Sequence, residues 1–219
     1  MDYNKIKEIY LEILGILDKF LLANKDLVGD YYIDGAKNIL TNKINIYIDY
    51  TNFSEIYKFF KPLLKQNLNI LDLGCGLGDK AVVMKKMFPP SNIYGVETNT
   101  NDDPSHKENP PYKVFERVYP VISDAFNINL SLYDGYNLDF SDNTFDIAFL
   151  YAIIEHISPE HRKNFIKTIS QKIKKDGYIV ITRCPRYYSL DYYLLLFFQD
   201  YSFLYPDQSS RIRYPDSLF

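Results

Sequence analysis

The chain has 219 residues, enough for one domain of ordinary size with an accessory piece, and at 47% hydrophobic it can bury a real core. A net charge of −3 and a pI of about 5.6 imply no bulk attraction to nucleic acid or to an anionic membrane. Two separated cysteines, Cys75 and Cys184, make neither a disulfide framework nor a metal site, so a reducing, cytoplasmic setting and no bound metal are expected.

At the N-terminus Ile6, Ile9, Tyr10, Ile13, Leu17 and Phe20 recur at steps of three and four, which predicts an amphipathic helix over residues 3–23. Residues 24–50 are mixed, and 43–50 fits a helix or a strand equally. A second helix is expected over 53–66, with Thr51 as its N-cap and a bend at Pro62. From Ile70 the rhythm becomes strand, helix, strand. Strands are expected over 70–73, 92–96, 128–133, 145–150 and 178–183. Helices are expected over 80–88, stopped by Pro89-Pro90, and over 112–118, limited by Pro120. A third, capped by Ser158 with Pro159 at its first position, should reach Lys174 and give way to a turn at Lys175-Asp176-Gly177. Residues 99–110 read as a polar loop. Strands alternating with helices imply an α/β chain with a doubly wound, mostly parallel sheet, preceded by N-terminal helices. No uncharged apolar run is long enough for a signal peptide or a membrane span.

The most informative stretch is NILDLGCGLGD, residues 69–79, followed by IYGVET, which reaches Glu97 nineteen residues after Gly78. An apolar strand ending in Asp72, a glycine triplet, a helix and a second strand ending in a carboxylate is the plan of a nucleotide-binding unit. The glycines let backbone approach a ligand, and the later acid accepts from ribose hydroxyls. The dinucleotide fingerprint is G-x-G-x-x-G. Here Gly74, Gly76 and Gly78 form G-x-G-x-G, and Asp79 stands where the third dinucleotide glycine would be. That spacing disfavours a nicotinamide oxidoreductase. On its own a glycine triplet is as often a tight strand–helix turn, and Glu97 and Asp134 taken singly read as surface carboxylates at strand ends.

The ordered set of stations between Asn69 and Arg183 resembles the class I S-adenosylmethionine-dependent methyltransferases. The resemblance implies a strand order of 3-2-1-4-5 and S-adenosylmethionine as cofactor. LDLGCGLGD matches the family's first motif, with Asp72 near the amino-acid end of the cofactor and the turn Gly74-Cys75-Gly76 with Gly78 bringing backbone N–H groups to its carboxylate. Glu97 would take both ribose hydroxyls. Asp134 in SLYDGYNLDF would accept from the adenine amino group, with Gly135 and Tyr136 near the ring. NTFDIAFLYAIIEHI matches strand four and the turn after it, placing Tyr151 against the cofactor, and KKDGYIVI matches the entry to strand five. The Glu-His-Ile after strand four is similar to a branch that modifies small molecules, sugars and lipids, although Asp139 stands where that branch often has proline. His156 is the candidate general base; in the alternative, Glu155-His156 orders the turn.

Asn109-Pro110-Pro111-Tyr112 reads NPPY, by which adenine-amino and glutamine-amide methyltransferases grip a planar nitrogen. In those enzymes it ends strand four. Here it precedes strand three, which argues against that role and, with the acidic pI, against a nucleic-acid acceptor. The expected organisation is a helical extension over 1–66, a cofactor-binding core over 67–183 and an aromatic segment over 184–219. The last is too short for the family's final antiparallel strand pair, so an abbreviated or truncated chain, and with it a non-catalytic cofactor-binding domain, is the competing expectation. The acceptor and the oligomeric state are not legible.

Overall fold

The computed structural model describes residues 1–99, 111–135, 137–157 and 159–182. The expectations for Tyr136, Ser158, most of the polar loop and the aromatic segment 184–219 with its missing strand pair lie outside these residues.

Three helices come first: α1 (Tyr3–Ala23), α2 (Tyr31–Thr41) and α3 (Lys43–Phe59). Each begins at an Asx cap that satisfies otherwise orphaned N–H groups. Asp2 accepts from Lys5 N at 2.9 Å, Asp30 from Tyr32 N at 2.9 Å, and Asn42 from Ile44 N at 2.9 Å. Asn42 ends α2 and starts α3, which settles 43–50 as helix. The second expected helix therefore starts ten residues earlier than Phe53. It stops at Phe59, because Pro62 falls in a 3₁₀ turn at Lys61–Leu63 instead of bending a continuing helix. α1 runs as its periodicity predicts, burying Ile6, Ile9, Tyr10, Ile13, Leu14 and Leu17.

The sheet follows: β1 (Asn69–Leu73), α4 (Asp79–Met87), β2 (Asn92–Thr98), α5 (Pro111–Phe126), β3 (Asn129–Tyr133), β4 (Phe145–Tyr151), α6 (Pro159–Lys172) and β5 (Ile173–Thr182). All four pairings are parallel, in the expected order β3-β2-β1-β4-β5. Ile70, Ile93, Ile147 and Phe149 look into one core shared with α1, α3, α4 and α5, so the N-terminal helices cover that face of the sheet. Leu71, Leu73, Val96, Ala148 and Leu150 look the other way, toward Ile169 of α6. Each fully buried Ile, Leu, Val or Phe among them contributes about 1.5–3 kcal/mol over leaving it in water.

Two further boundaries differ from the sequence reading by several residues. α5 runs on through Pro120 to Phe126. A mid-helix proline costs about 3 kcal/mol or more by losing a hydrogen bond and crowding the carbonyl four residues back. Pro120 and Glu116 both lie on the exposed side, where water can serve that carbonyl, while Phe115, Val118, Tyr119, Ile122 and Phe126 bury the opposite face. β5 begins at Ile173, and Lys175-Asp176-Gly177 is an irregularity inside it: Phe145 pairs with Ile173 but Ile147 with Tyr178. Gly177 permits this, because a Cβ there would lie 2.8 Å from the Asp146 carbonyl oxygen. Among the described residues no helix is long and apolar enough to cross a membrane.

Candidate functional site

The carboxyl ends of β1, β2, β3 and β4 lie along one edge of the sheet, where open parallel sheets bind their ligands. The turn after β1 uses its three glycines in left-handed backbone, at φ +75° for Gly74, +53° for Gly76 and +88° for Gly78. Two of them are also packed. A Cβ on Gly74 would lie 2.1 Å from Cδ1 of Ile153, and one on Gly78 would lie 2.6 Å from Cδ1 of Leu130. A Cβ on Gly76 would meet nothing within 4 Å, so Gly76 faces open space.

The N–H groups of Gly74, Cys75, Gly76 and Gly78 are engaged within the fold. Val96 O accepts from Gly74 N at 2.8 Å and from Cys75 N at 3.1 Å, and Cys75 O accepts from Gly78 N at 2.8 Å. Glu97 clasps the turn from β2: Oε2 accepts from Gly76 N at 2.8 Å, and Oε1 accepts from Thr98 N at 2.9 Å. Tyr119 of α5 holds it from another side, donating its hydroxyl to Gly76 O at 2.7 Å and lying 3.6 Å from Cys75 Sγ. The structure thus brings Asp72, Gly74, Cys75, Gly76, Gly78 and Glu97 into one assembly.

Its electrostatics are those of a desolvated cluster. Asp72 is 1% exposed, and its Oδ2 has no hydrogen-bond partner among the described residues. Burial, then repulsion from Asp79, holds its carboxyl well above the usual range, against the pull of Lys80. Burial also raises Glu97, with the Gly76 and Thr98 N–H groups opposing. The Cys75 thiol is pushed well up by burial and then by Asp72, and the Tyr133 phenol rises to about 12 by burial and then by Glu97.

The other expected residues stand differently. Asp134 is exposed just past β3 and accepts from the backbone N of Asn137 at 2.6 Å and its Nδ2 at 2.7 Å, with left-handed Gly135 beside it. His156 is exposed in a 3₁₀ turn at Ile154–His156. Tyr151 closes β4 with its hydroxyl donated to Asp49 of α3. Tyr112 is the second residue of α5, before β3.

Sequence reasoning missed the supports. Gly95 sits inside β2 because a Cβ would lie 2.5 Å from Leu130 and 3.0 Å from Cys75 Sγ; a glycine within an apolar strand was the available signal. Tyr119 and Ile153 carried none. Nor did Lys80, a charge that α4 buries beside Asp49, Tyr10 and Tyr151.

An uncharacterised protein from Synechocystis sp. is 26% identical over 124 residues, covering 55% of this chain and 22% of the relative. The chain thus spans about a fifth of the length of that curated relative. Similar solved structures include an S-adenosylmethionine-dependent methyltransferase from Methanosarcina mazei, with 17% identity, 65% of each chain covered and a TM-score of 0.48. Another is the PH0226 protein from Pyrococcus horikoshii, with 21% identity, 68% of this chain and 63% of that one covered, and a TM-score of 0.44. Residues 45–209 match the methyltransferase-domain family, and the chain therefore belongs to the class I S-adenosylmethionine-dependent methyltransferases.

Proposed function

We propose that the chain transfers a methyl group from S-adenosylmethionine to a small-molecule, sugar or lipid acceptor by in-line displacement. The observation that carries the reading is the buried Oδ2 of Asp72, unpartnered among the described residues, beside a glycine turn whose middle glycine faces open space. A buried carboxylate oxygen without a donor costs on the order of 1–3 kcal/mol, so a ligand donor there is favoured. An ammonium group at the amino-acid end of the cofactor supplies one. Glu97 fits the ribose: each of its oxygens accepts one backbone N–H and keeps a second lone-pair site for a hydroxyl. The residues present therefore fit the cofactor, with Asp134, Gly135, Tyr136 and Tyr151 as the remaining binding candidates.

When bound, the cofactor supplies an activated methyl on a sulfonium that is already a leaving group. The protein's share is to orient the acceptor behind that methyl and exclude water. Glu97 would hold the ribose and Asp72 the ammonium end, while Tyr119 and Val96 keep the turn in shape. His156, at the turn after β4, is the candidate to take the acceptor's proton. The start of Tyr112 in α5 before β3 and the net charge of −3 support a small acceptor over a nucleic acid. The buried, free Cys75 thiol suits the cytoplasmic setting inferred from the sequence.

The test is calorimetry with S-adenosylhomocysteine and with NAD. We expect micromolar binding of the first, about −8 kcal/mol. Glu97→Ala should lose about 2–3 kcal/mol of it. Preference for NAD, or unchanged affinity in that variant, overturns the reading. Cofactor binding without turnover on small alcohols, amines, sugars or lipids, but with methylation of protein or nucleic acid, overturns the acceptor class alone.

A further inference from the structure

The glycine turn is flanked by a buried polar layer that, Tyr151 apart, the cofactor reading leaves unused. It gathers Tyr10 from α1, Asp49 from α3, Asp79 and Lys80 from the start of α4, and Tyr151 from the end of β4. Asp49 is 1% exposed and Lys80 9%. Asp49 divides its carboxylate. Oδ2 accepts from the Tyr10 hydroxyl at 2.6 Å and from Lys80 Nζ at 3.0 Å, and Oδ1 accepts from the Tyr151 hydroxyl. Lys80 also reaches Asp79 and lies 5.1 Å from the centroid of the Tyr151 ring. Burial alone would raise Asp49 and depress Lys80, but each is carried the other way by the other's charge, so both stay ionised.

The position of this layer gives it more than a docking role. Leu150 of β4 pairs with Leu73 of β1, so Tyr151 stands level with Gly74, the first residue of the turn. Lys80 sits just beyond the other end of the turn, two residues after Gly78. Two of the three residues that Asp49 holds therefore bracket it. α3 grips Tyr151 twice, because Phe53, one turn on from Asp49, stacks on the ring at 6.4 Å and 10°. A buried ion pair is a weak source of stability compared with apolar side chains of the same volume, and its best-attested use is to fix register.

We propose that Asp49 is a positioning residue of the cofactor site. Through Tyr151 and Lys80 it locks the end of β4 and the first turn of α4 on either side of the glycine turn. The N-terminal helices are then part of the binding machinery. This inference rests on the methyltransferase reading above.

The test measures S-adenosylhomocysteine affinity and melting temperature side by side on the full chain. Tyr151→Phe keeps the ring, its stack on Phe53 and its face toward Lys80, and removes only the hydroxyl. Asp49→Asn keeps the volume and removes the charge. Lys86→Ala breaks an exposed bridge to Glu12 that joins α1 to α4 elsewhere, 3.0 Å long, and serves as the control. Tyr151→Phe and Asp49→Asn should each weaken binding about tenfold, the scale of one hydrogen bond to a charged group. The double variant should be no weaker than Asp49→Asn, and Lys86→Ala should bind like the parent. Lowered melting temperatures with unchanged affinity in Tyr151→Phe overturn the inference, and that variant decides the matter if Asp49→Asn does not fold. Equal weakening by Lys86→Ala also overturns it. A parent chain that fails to bind S-adenosylhomocysteine removes the methyltransferase reading itself.

Discussion

Gly76→Ala separates a binding role of the glycine turn from a structural one. At φ +53° Gly76 lies where an L side chain costs about 1–2 kcal/mol. The alanine chain has less entropy to lose on folding, which returns about 0.4–1 kcal/mol. No neighbour lies within 4 Å of the new Cβ, so no clash adds to the balance. The net loss of about 1 kcal/mol corresponds to roughly 2–4 °C in Tm for a chain of this size. The methyl group would nonetheless project into the space where the cofactor is expected. Displacing a close contact there should weaken binding at least about tenfold, or about 1.4 kcal/mol. Gly95→Ala is the opposite case: its Cβ would lie 2.5 Å from Leu130 and 3.0 Å from Cys75 Sγ, away from open space. Overpacking of this kind costs about 1–3 kcal/mol of stability. Thermal unfolding and calorimetry with S-adenosylhomocysteine read the two quantities separately. Affinity in Gly76→Ala equal to the parent's would refute the placement of the cofactor against this turn.

Asp72 links the site to pH. Its folded carboxyl is held above the usual range by burial, so the folded state keeps the proton more tightly than the unfolded chain. The stability it contributes is complete below about pH 4 and is lost as pH rises through the raised value. Asp72→Asn should therefore raise Tm at pH 8 more than at pH 5 while weakening S-adenosylhomocysteine binding; a Tm gain that is equal at both pH values would contradict the burial argument. Tyr112→Ala, at the start of α5 before β3, should leave cofactor affinity unchanged and transfer intact, and loss of either would restore a role for the NPPY segment.

The sheet was legible because each of its strands contains a short apolar stretch, most of them flanked by glycine, proline or acid, and because alternation with helices admits few topologies. α1 was legible because its apolar residues repeat at one period throughout. α2 was not, because it shows only two buried positions, Ile33 and Leu40, and owes its start to the Asp30 cap instead of to a stripe. The start of α3 was missed for the same reason: Asn42, one polar residue among several, decides it through two N–H bonds at 2.9 and 3.3 Å. The continuation of α5 past Pro120 depends on which side of the helix meets water. That is a tertiary fact, and it outweighs the local rule that proline ends a helix.

The site divides along a similar line. Asp72, the glycines and Glu97 were readable because the chain brings them within thirty residues, and their backbone duties dictate residue type. Residues that hold the site from a distance were not readable. Tyr10 and Lys80 are 70 residues apart, and Asp49 and Tyr151 are 102 apart, so no spacing rule joins them. Their types are also ambiguous: a tyrosine on an apolar helix face reads as core, and a lysine in a first helical turn reads as solvated. Only the fold shows that both are buried around one carboxylate. Glu97 belongs to both classes. Its place after β2 marks it as a ribose acceptor, yet its bond to Gly76 N makes it part of the turn's own scaffold. Removal of Glu97 therefore loosens the turn as well as the ligand contact, whereas Glu97→Gln keeps one oxygen able to accept from Gly76 and gives up the bidentate acceptor. The difference in affinity between Glu97→Ala and Glu97→Gln measures the scaffold share. Identical losses would mean that the turn keeps its shape without Glu97 and that Val96 and Tyr119 suffice to hold it.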